Sequence, residues 1–309
     1  MQRRYRTALL LPVGVIAALA ACGGNATGET GAGVEVPEII VTTGIWADVT
    51  SNVACDGLAE IRTIIPIGGD PHSFEPSLQD RHVLESADLI VANGLLLEES
   101  LEDTIDAAAQ GGVPVFRFAD HMTPIASDDE EHGEGDPHVW FDPTRVLAAL
   151  PALRDALVDQ GGLDAGAVDQ CLGAYQSAIT ETDADVTALL HTIPADRRKL
   201  VTNHDALGYF ADHYGFEVLG AAIPSPSTLA EANPAELQAL ANLIEKADVP
   251  TIFAETQHSS ADVDALARAV GDIAVVSLFT DSLGPAGSGA DTYLGILSTD
   301  AALIVEALA

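Results

Sequence analysis

Short apolar runs of strand length alternate along the chain with segments whose apolar residues recur at helical spacing. In the first half, this pattern predicts strands over 38–43, 60–66, 89–92 and 113–118. The segments between them predict helices over 46–54, 79–86 and 97–109. Because each helix returns the chain to the same end of the sheet, we expect the strands to pair in parallel through right-handed crossovers.

The same rhythm restarts near Lys199 and predicts a second lobe. Its strands are expected over 200–203, 216–221, 251–254 and 273–277. Its helices are expected over 206–214, 234–246, 261–270 and 292–308. Between the two halves lies a helical stretch over 143–193, in which Pro151 and the glycines at 161 and 162 predict interruptions.

The predicted fold class is therefore α/β, with two lobes that each hold a four-stranded, mostly parallel sheet flanked by helices. We expect the lobes over 37–164 and 194–309, joined by one long rigid helix over 165–193. Open parallel sheets bind ligands beyond the carboxyl ends of their strands, so two facing lobes would form a binding cleft.

The first 21 residues have the pattern of a secretory signal. Arg3, Arg4 and Arg6 precede an apolar stretch over 8–21 that contains no acid and ends in small residues. The small residues before Cys22 resemble the lipobox of bacterial lipoproteins, which implies that cleavage leaves Cys22 to carry a lipid. An uncleaved anchor helix is the alternative. Residues 22–36 are expected to form a flexible tether, so the folded part would lie outside the cytoplasm, lipid-anchored to the cell membrane.

The charge balance excludes several classes of partner. The 309 residues include 47 acids and 13 bases, for a formal net charge of −34. Such a chain lacks the basic face that nucleic acid or anionic lipid requires. Its 48% of hydrophobic residues also exclude a disordered acidic tail.

Two cysteines remain besides Cys22. In an oxidising compartment, Cys55 and Cys171 are expected to form a disulfide, and two unpaired buried thiols are the alternative.

Three histidines and one aspartate lie in loops that come after predicted strands. Parallel sheets carry their functional residues in such loops. These residues are His72, His138, His204 and Asp281. Three imidazoles and one carboxylate form a suitable set of ligands for a tetrahedral divalent cation. Asp70 and Asp136 open the Asp-Pro-His turns before the first two histidines, and each is expected to accept from an imidazole N–H or to cap its turn.

The other histidines do not share this placement. Four of them lie within or beside helical patterns and are expected at the surface, namely His82, His191, His213 and His258. The pattern around His121 assigns it to neither group.

At these positions the chain resembles the zinc/manganese substrate-binding lipoproteins of bacterial ABC importers, the cluster A-I proteins of the zinc-uptake type. The motifs are the two Asp-Pro-His turns, Asn-His-Asp at 203–205 with Gly-Tyr-Phe at 208–210, Asp-Ser-Leu-Gly at 281–284 and Thr-Tyr-Leu at 292–294. The resemblance runs from the lipobox to the final helix. It implies a carrier without enzymatic activity that delivers its metal to a membrane permease. It also implies that the metal ligands are the four residues at the matching positions, His72, His138, His204 and Asp281. We expect the carrier to be a monomer.

Position 204 decides which metal is expected. In the family it tends to be histidine in zinc carriers and a carboxylate in many manganese carriers, so His204 implies Zn(II) as the transported ligand, with Mn(II) as the alternative. The chemistry agrees, because manganese prefers oxygen ligands and higher coordination. The acidic loop at 127–136, with six acids and His132, is shorter than in many zinc members. It is either a solvated charge run or a segment that attracts cations.

Two other functions fit parts of the sequence. In a zinc hydrolase, Glu255 would act as general base and Asp281 as a displaced ligand. In a carrier, Glu255 would instead accept from an imidazole or cap a helix. The sequence contains no His-Glu-x-x-His and no Gly-x-Ser-x-Gly segment, which favours the carrier. A surface adhesin is the third hypothesis.

Overall fold

The computed structural model describes residues 36–55, 57–126, 135–271 and 273–309. The predicted signal, Cys22, all of the tether except Val36, and residues 127–134 of the acidic loop with His132 lie outside the described residues. Among the residues that are described, no helix combines the length and the apolar character needed to cross a membrane.

The first lobe is a parallel sheet of four strands. They are β1 (Glu38–Val41), β2 (Glu60–Thr63), β3 (Leu89–Ala92) and β4 (Val115–Arg117), in the order β2-β1-β3-β4. The connecting helices are α1 (Gly44–Ala54), α2 (Leu78–Glu85) and α3 (Glu102–Gln110). All of β3 is buried, as its unbroken apolar run requires of a central strand in a parallel sheet.

The second lobe repeats this arrangement. Its strands are β5 (Lys199–His204), β6 (Glu217–Ile223), β7 (Thr251–Glu255) and β8 (Ala274–Leu278), all parallel, in the order β6-β5-β7-β8. Its helices are α6 (Gly208–Tyr214), α7 (Pro234–Ala247), α8 (Ala261–Val270) and α9 (Tyr293–Leu308). The predicted fold class is confirmed.

Two helices, α4 (Pro143–Asp159) and α5 (Ala165–Leu190), lie between the sheets in sequence. With 26 residues, α5 is about 39 Å long. Its buried side chains, including Ile179 and Val186, belong to one hydrophobic cluster that also contains Val91 of the first sheet and Phe253 of the second. The two lobes therefore share a core along this helix.

Two local predictions were wrong. Pro151 does not interrupt the helix, because its ring lies on the exposed face of α4 and only one backbone hydrogen bond is lost there. The helix predicted from residue 97 begins at Glu102 instead. Leu95 and Leu96 have φ of 54° and 57°, and the buried Glu98 carboxylate accepts from the backbone N–H of Asn93, so the chain turns before the helix begins.

The predicted disulfide is confirmed and ties α5 to α1. Cys55 follows directly on α1, Cys171 lies in the second turn of α5, and their Cα atoms are 5.7 Å apart. The bridge spans 116 residues of sequence, so it removes many conformations from the unfolded chain.

We expect the double variant Cys55→Ser/Cys171→Ser to unfold with a free energy lower by about 2–4 kcal/mol, because the unfolded chain regains that freedom. Urea titrations followed by circular dichroism measure this difference. Adding a reductant should destabilise the wild type to the level of the double variant and leave the variant unchanged. A wild type insensitive to the reductant would contradict the prediction.

Candidate metal centre

Four side chains from four separate segments converge on one buried point between the sheets. His72 follows β2, His138 precedes a short 3-10 helix (Val139–Phe141), His204 ends β5 and Asp281 follows β8. One nitrogen or oxygen atom from each lies within 4.8 Å of those of the other three. All four residues are at most 2% exposed. The four residues that the sequence singled out therefore come together, although β5 runs one residue further than predicted and includes His204.

The His72 turn is held by Asp70. The Asp70 carboxylate accepts from the backbone N–H of His72 at 3.0 Å and from the Ser73 hydroxyl at 2.9 Å, while Pro71 between them fixes its own φ. Asp70 therefore caps this turn, and its carboxylate also lies 3.8 Å from the His258 imidazole. Neither ring nitrogen of His72 has a hydrogen-bond partner among the described residues, and its Nδ1 lies 3.8 Å from the Glu99 carboxylate.

The His138 ring is oriented by Asp136. One oxygen of that carboxylate accepts from both the backbone N–H of His138 at 2.9 Å and its Nδ1 at 2.7 Å. Gly208 permits this arrangement, since a Cβ there would lie 2.8 Å from the other Asp136 oxygen. The Tyr209 hydroxyl donates to the Asp136 carbonyl at 2.8 Å. The ring of His138 therefore presents Nε2 to the centre.

The ring of His204 is oriented in the same way by a neighbouring strand. Thr202 of β5 pairs with Phe253 of β7, so two residues later His204 and Glu255 lie on the same face. The Nδ1 of His204 lies 2.5 Å from the Glu255 carboxylate. Glu255 thus contacts an imidazole, as one of its two predicted roles requires.

Three of the four ligand groups are spaced much as in a tetrahedral site. The Nε2 atoms of His138 and His204 are 3.0 Å apart, and they lie 3.6 Å from Oδ1 and from Oδ2 of Asp281, respectively. Ligands at 2.0–2.1 Å in a tetrahedron would be about 3.3 Å from one another. The buried Oδ1 of Asp281 has no hydrogen-bond partner among the described residues. Buried polar atoms that lack partners are the exception in folded proteins, and a cation would satisfy these.

Burial and neighbouring charges shift the pKa values of the ligands. Burial lowers the pKa of His204, but the carboxylates of Glu255 and Asp281 outweigh it and raise this pKa to about 9. Burial raises the pKa of Asp281 to about 6 and that of Asp136 to about 8. The pKa of His138 falls well below its usual value, through burial and the nearby imidazoles. Without a cation, the site therefore retains protons that a dication would displace.

Hydrogen bonds between the lobes surround the centre on several sides. The Thr228 hydroxyl donates to Asp70 at 2.7 Å and the Ser227 hydroxyl donates to Glu99 at 2.5 Å. Two further bonds hold the segment around Asp281. The Gly68 N–H donates to the Ser282 hydroxyl at 2.6 Å, and the Trp140 indole N–H donates to the Thr280 carbonyl at 3.0 Å. The centre is thus closed off where the two lobes meet.

Sequence reasoning missed one residue at the centre and misplaced two histidines. Gln257, two residues after Glu255, bonds to both Glu255 and Asp281. Its position just after β7 is the signal that could have found it. His213 and His258 are half-buried rather than at the surface, because His213 pairs with Asp183 at 2.8 Å and His258 lies 3.8 Å from Asp70.

Three more histidines lie in the described part of the chain. Of these, His82 and His191 are exposed as predicted. His121 is exposed and stacks on Phe116.

Comparison with known proteins relates this arrangement to characterised relatives. The zinc-binding protein TroA of Treponema pallidum is 34% identical over 278 residues, which are 88% of this chain and 89% of TroA. The manganese-binding lipoprotein MntA of Halalkalibacterium halodurans is 29% identical over 297 residues, 95% of this chain and 96% of MntA. The solved structure of TroA superposes with a TM-score of 0.82 at 33% identity and covers 88% of this chain and 99% of that one.

The family model of the periplasmic zinc-uptake complex component A matches residues 39–307, nearly the whole of the part described by the structure. The resemblance inferred from the motifs is thereby confirmed. This chain belongs to the family of periplasmic zinc-uptake complex component A proteins.

Proposed function

We propose that the protein captures Zn(II) between its two lobes outside the cytoplasm and delivers it to the permease of an ABC importer. The observation that carries the proposal is the buried group of three imidazoles and one carboxylate, in which carboxylates orient two of the imidazoles. In this proposal His72 and His138 come from the lobe over 37–164, His204 and Asp281 from the lobe over 194–309, and the segment 165–193 links the lobes.

Zinc is proposed over manganese on the chemistry of His204. A third nitrogen ligand suits the borderline-soft zinc ion, whereas manganese favours oxygen ligands and more of them. The names of the relatives include both metals, so similarity alone leaves the choice open. Zinc also exceeds manganese in intrinsic affinity for nitrogen-rich sites.

Carriage rather than catalysis is supported by how the ligands are arranged. Four protein ligands fill a tetrahedral site and leave no position for an activated water. Glu255, the candidate general base of the hydrolase hypothesis, lies 2.5 Å from His204 Nδ1 and is engaged there. One chain supplies the complete set of ligands, which is consistent with a monomer.

The first prediction concerns the metal. We expect the apo-protein to retain one zinc ion per chain when it is offered equimolar Zn(II) and Mn(II), desalted and analysed for metal. We expect no catalytic turnover by the zinc-loaded protein. His204→Ala should weaken zinc binding by at least about tenfold, because it removes a ligand. His191→Ala removes an exposed imidazole at the end of α5 and serves as the matched control. Mostly retained manganese, or undiminished zinc affinity in His204→Ala, would overturn the assignment.

The second prediction concerns pH. Because the pKa of His204 is raised to about 9 and that of Asp281 to about 6, a cation must displace protons to bind. Acidification should therefore weaken zinc binding, with Kd rising about tenfold per pH unit for each displaced proton. Calorimetry at pH 7 and pH 6, in buffers of different ionisation enthalpy, measures both the affinity and the protons released. An unchanged Kd across this range would contradict the prediction.

The third prediction concerns the lipid anchor. It is supported by the lipobox-like residues before Cys22. We infer that Cys22 carries the lipid after cleavage, so Cys22→Ser should leave the protein unprocessed or release it from the membrane. Partitioning of exported protein into a detergent phase, with immunoblotting, distinguishes these forms. A mature Cys22→Ser protein that still enters the detergent phase would exclude this anchor.

A further inference from the structure

Asp300 places a carboxyl group on the apolar face of α9. Its buried neighbours on this face, Leu297, Ala301 and Ile304, belong to the hydrophobic cluster that the two lobes share. Asp300 itself is only 3% exposed and forms no salt bridge among the described residues. Burying a carboxyl group among apolar side chains costs free energy, so we expect this one to have a role that offsets the cost.

One oxygen of Asp300 accepts a backbone hydrogen bond at the point where β8 ends. The pairing of β7 with β8 ends at Leu278, whose carbonyl accepts from the Thr256 N–H at 3.0 Å. The next backbone donor, the N–H of Phe279, donates to Oδ1 of Asp300 at 3.1 Å. Oδ2 of Asp300 is buried and has no hydrogen-bond partner among the described residues. The carboxyl group therefore acts through its bond to Phe279.

This bond is formed two residues before the metal ligand Asp281. Residues 279–292 form neither helix nor strand, so individual contacts rather than a regular ladder must fix the backbone of the ligand. From the first lobe, the Trp140 indole N–H donates to the Thr280 carbonyl at 3.0 Å. The bonds to Phe279 and Thr280 thus hold the two residues directly before Asp281, and the first of these bonds ties them to α9.

We propose that Asp300 is a positioning residue that strengthens zinc binding by tying the backbone before Asp281 to α9. The buried face of α9 belongs to the shared core, so it provides a rigid support for this ligand. The inference rests on the proposed function and goes beyond it, because it assigns part of the affinity to a group outside the four ligands.

An uncharged carboxyl group suffices for this role, since an oxygen lone pair is all that the Phe279 N–H requires. Burial raises the pKa of Asp300 well above its usual value, and the bond from Phe279 offsets this only in part. The amide of asparagine has the same shape and also offers an oxygen. We therefore expect asparagine to replace Asp300 without loss of zinc binding.

Asp300→Asn and Asp300→Ala test the proposal, because the first keeps the acceptor oxygen and the second removes it. Chelator competition gives Kd for zinc, and circular dichroism establishes that each variant is folded. We expect Asp300→Asn to bind zinc as the wild type does and Asp300→Ala to bind it about tenfold more weakly. Glu306 is exposed on the same helix, so Glu306→Gln and Glu306→Ala are matched controls that should bind as the wild type does.

A double-mutant cycle tests whether Asp300 acts through Asp281. In an Asp281→Ala background the positioned ligand is absent, so adding Asp300→Ala should weaken zinc binding by less than about twofold. In a His72→Ala background Asp281 is still present, and most of the loss caused by Asp300→Ala should remain. A general structural role would produce the same loss in both backgrounds.

Several outcomes would overturn the proposal while the proposed function stands. They are weakened binding in Asp300→Asn, unchanged binding in Asp300→Ala, and an equal loss in the two backgrounds of the cycle. An Asp300→Ala protein that does not fold would also overturn it, because the bond would then be needed by the fold rather than by the ligand. A wild type that retains no zinc would overturn the proposed function, and this inference with it.

Discussion

The structure depends on holding three imidazoles and a carboxylate together where water cannot reach them. Ring nitrogens 3.0 Å apart at a buried point compete for protons, and buried polar atoms without partners are costly. The chain limits this cost by fixing each ligand from behind. Asp136 and Glu255 hold two rings, Asp70 holds the turn of the third, and Gln257 holds the carboxylate. The surrounding fold serves to bring those supports to one place.

The shared core restricts how such a site can open. A hydrophobic cluster continues from the first sheet along α5 to the second, and a disulfide fastens α5 to α1. Wide separation of the lobes would expose this core, at roughly 25 cal/mol for each Å² of apolar surface. By contrast, Thr228 and Ser227 are held across the cleft by single side-chain hydrogen bonds. Breaking these bonds costs less free energy than exposing the shared core. Local movement around 225–229 would therefore cost less free energy than separation of the lobes.

The sequence predicted the sheets and the four converging residues because both follow from regular geometry. Strand periodicity locates the strand ends, and parallel pairing brings those ends to one edge. The failures arose where tertiary contacts override local pattern. Glu98 holds its segment in turns where the pattern favours a helix, and Pro151 is tolerated because it faces solvent. Gln257 carries no motif of its own, and its hydrogen bonds form only once Glu255 and Asp281 lie beside it.

This dependence bears on how closely related carriers come to hold different metals. Relatives named for zinc and for manganese both align with this chain over most of their length. Four direct ligands leave few changes that keep a site intact, since each removal leaves buried partners unsatisfied. A residue one contact further out can change the orientation and basicity of a ligand while every direct ligand stays in place. Selectivity can then vary without rebuilding the site.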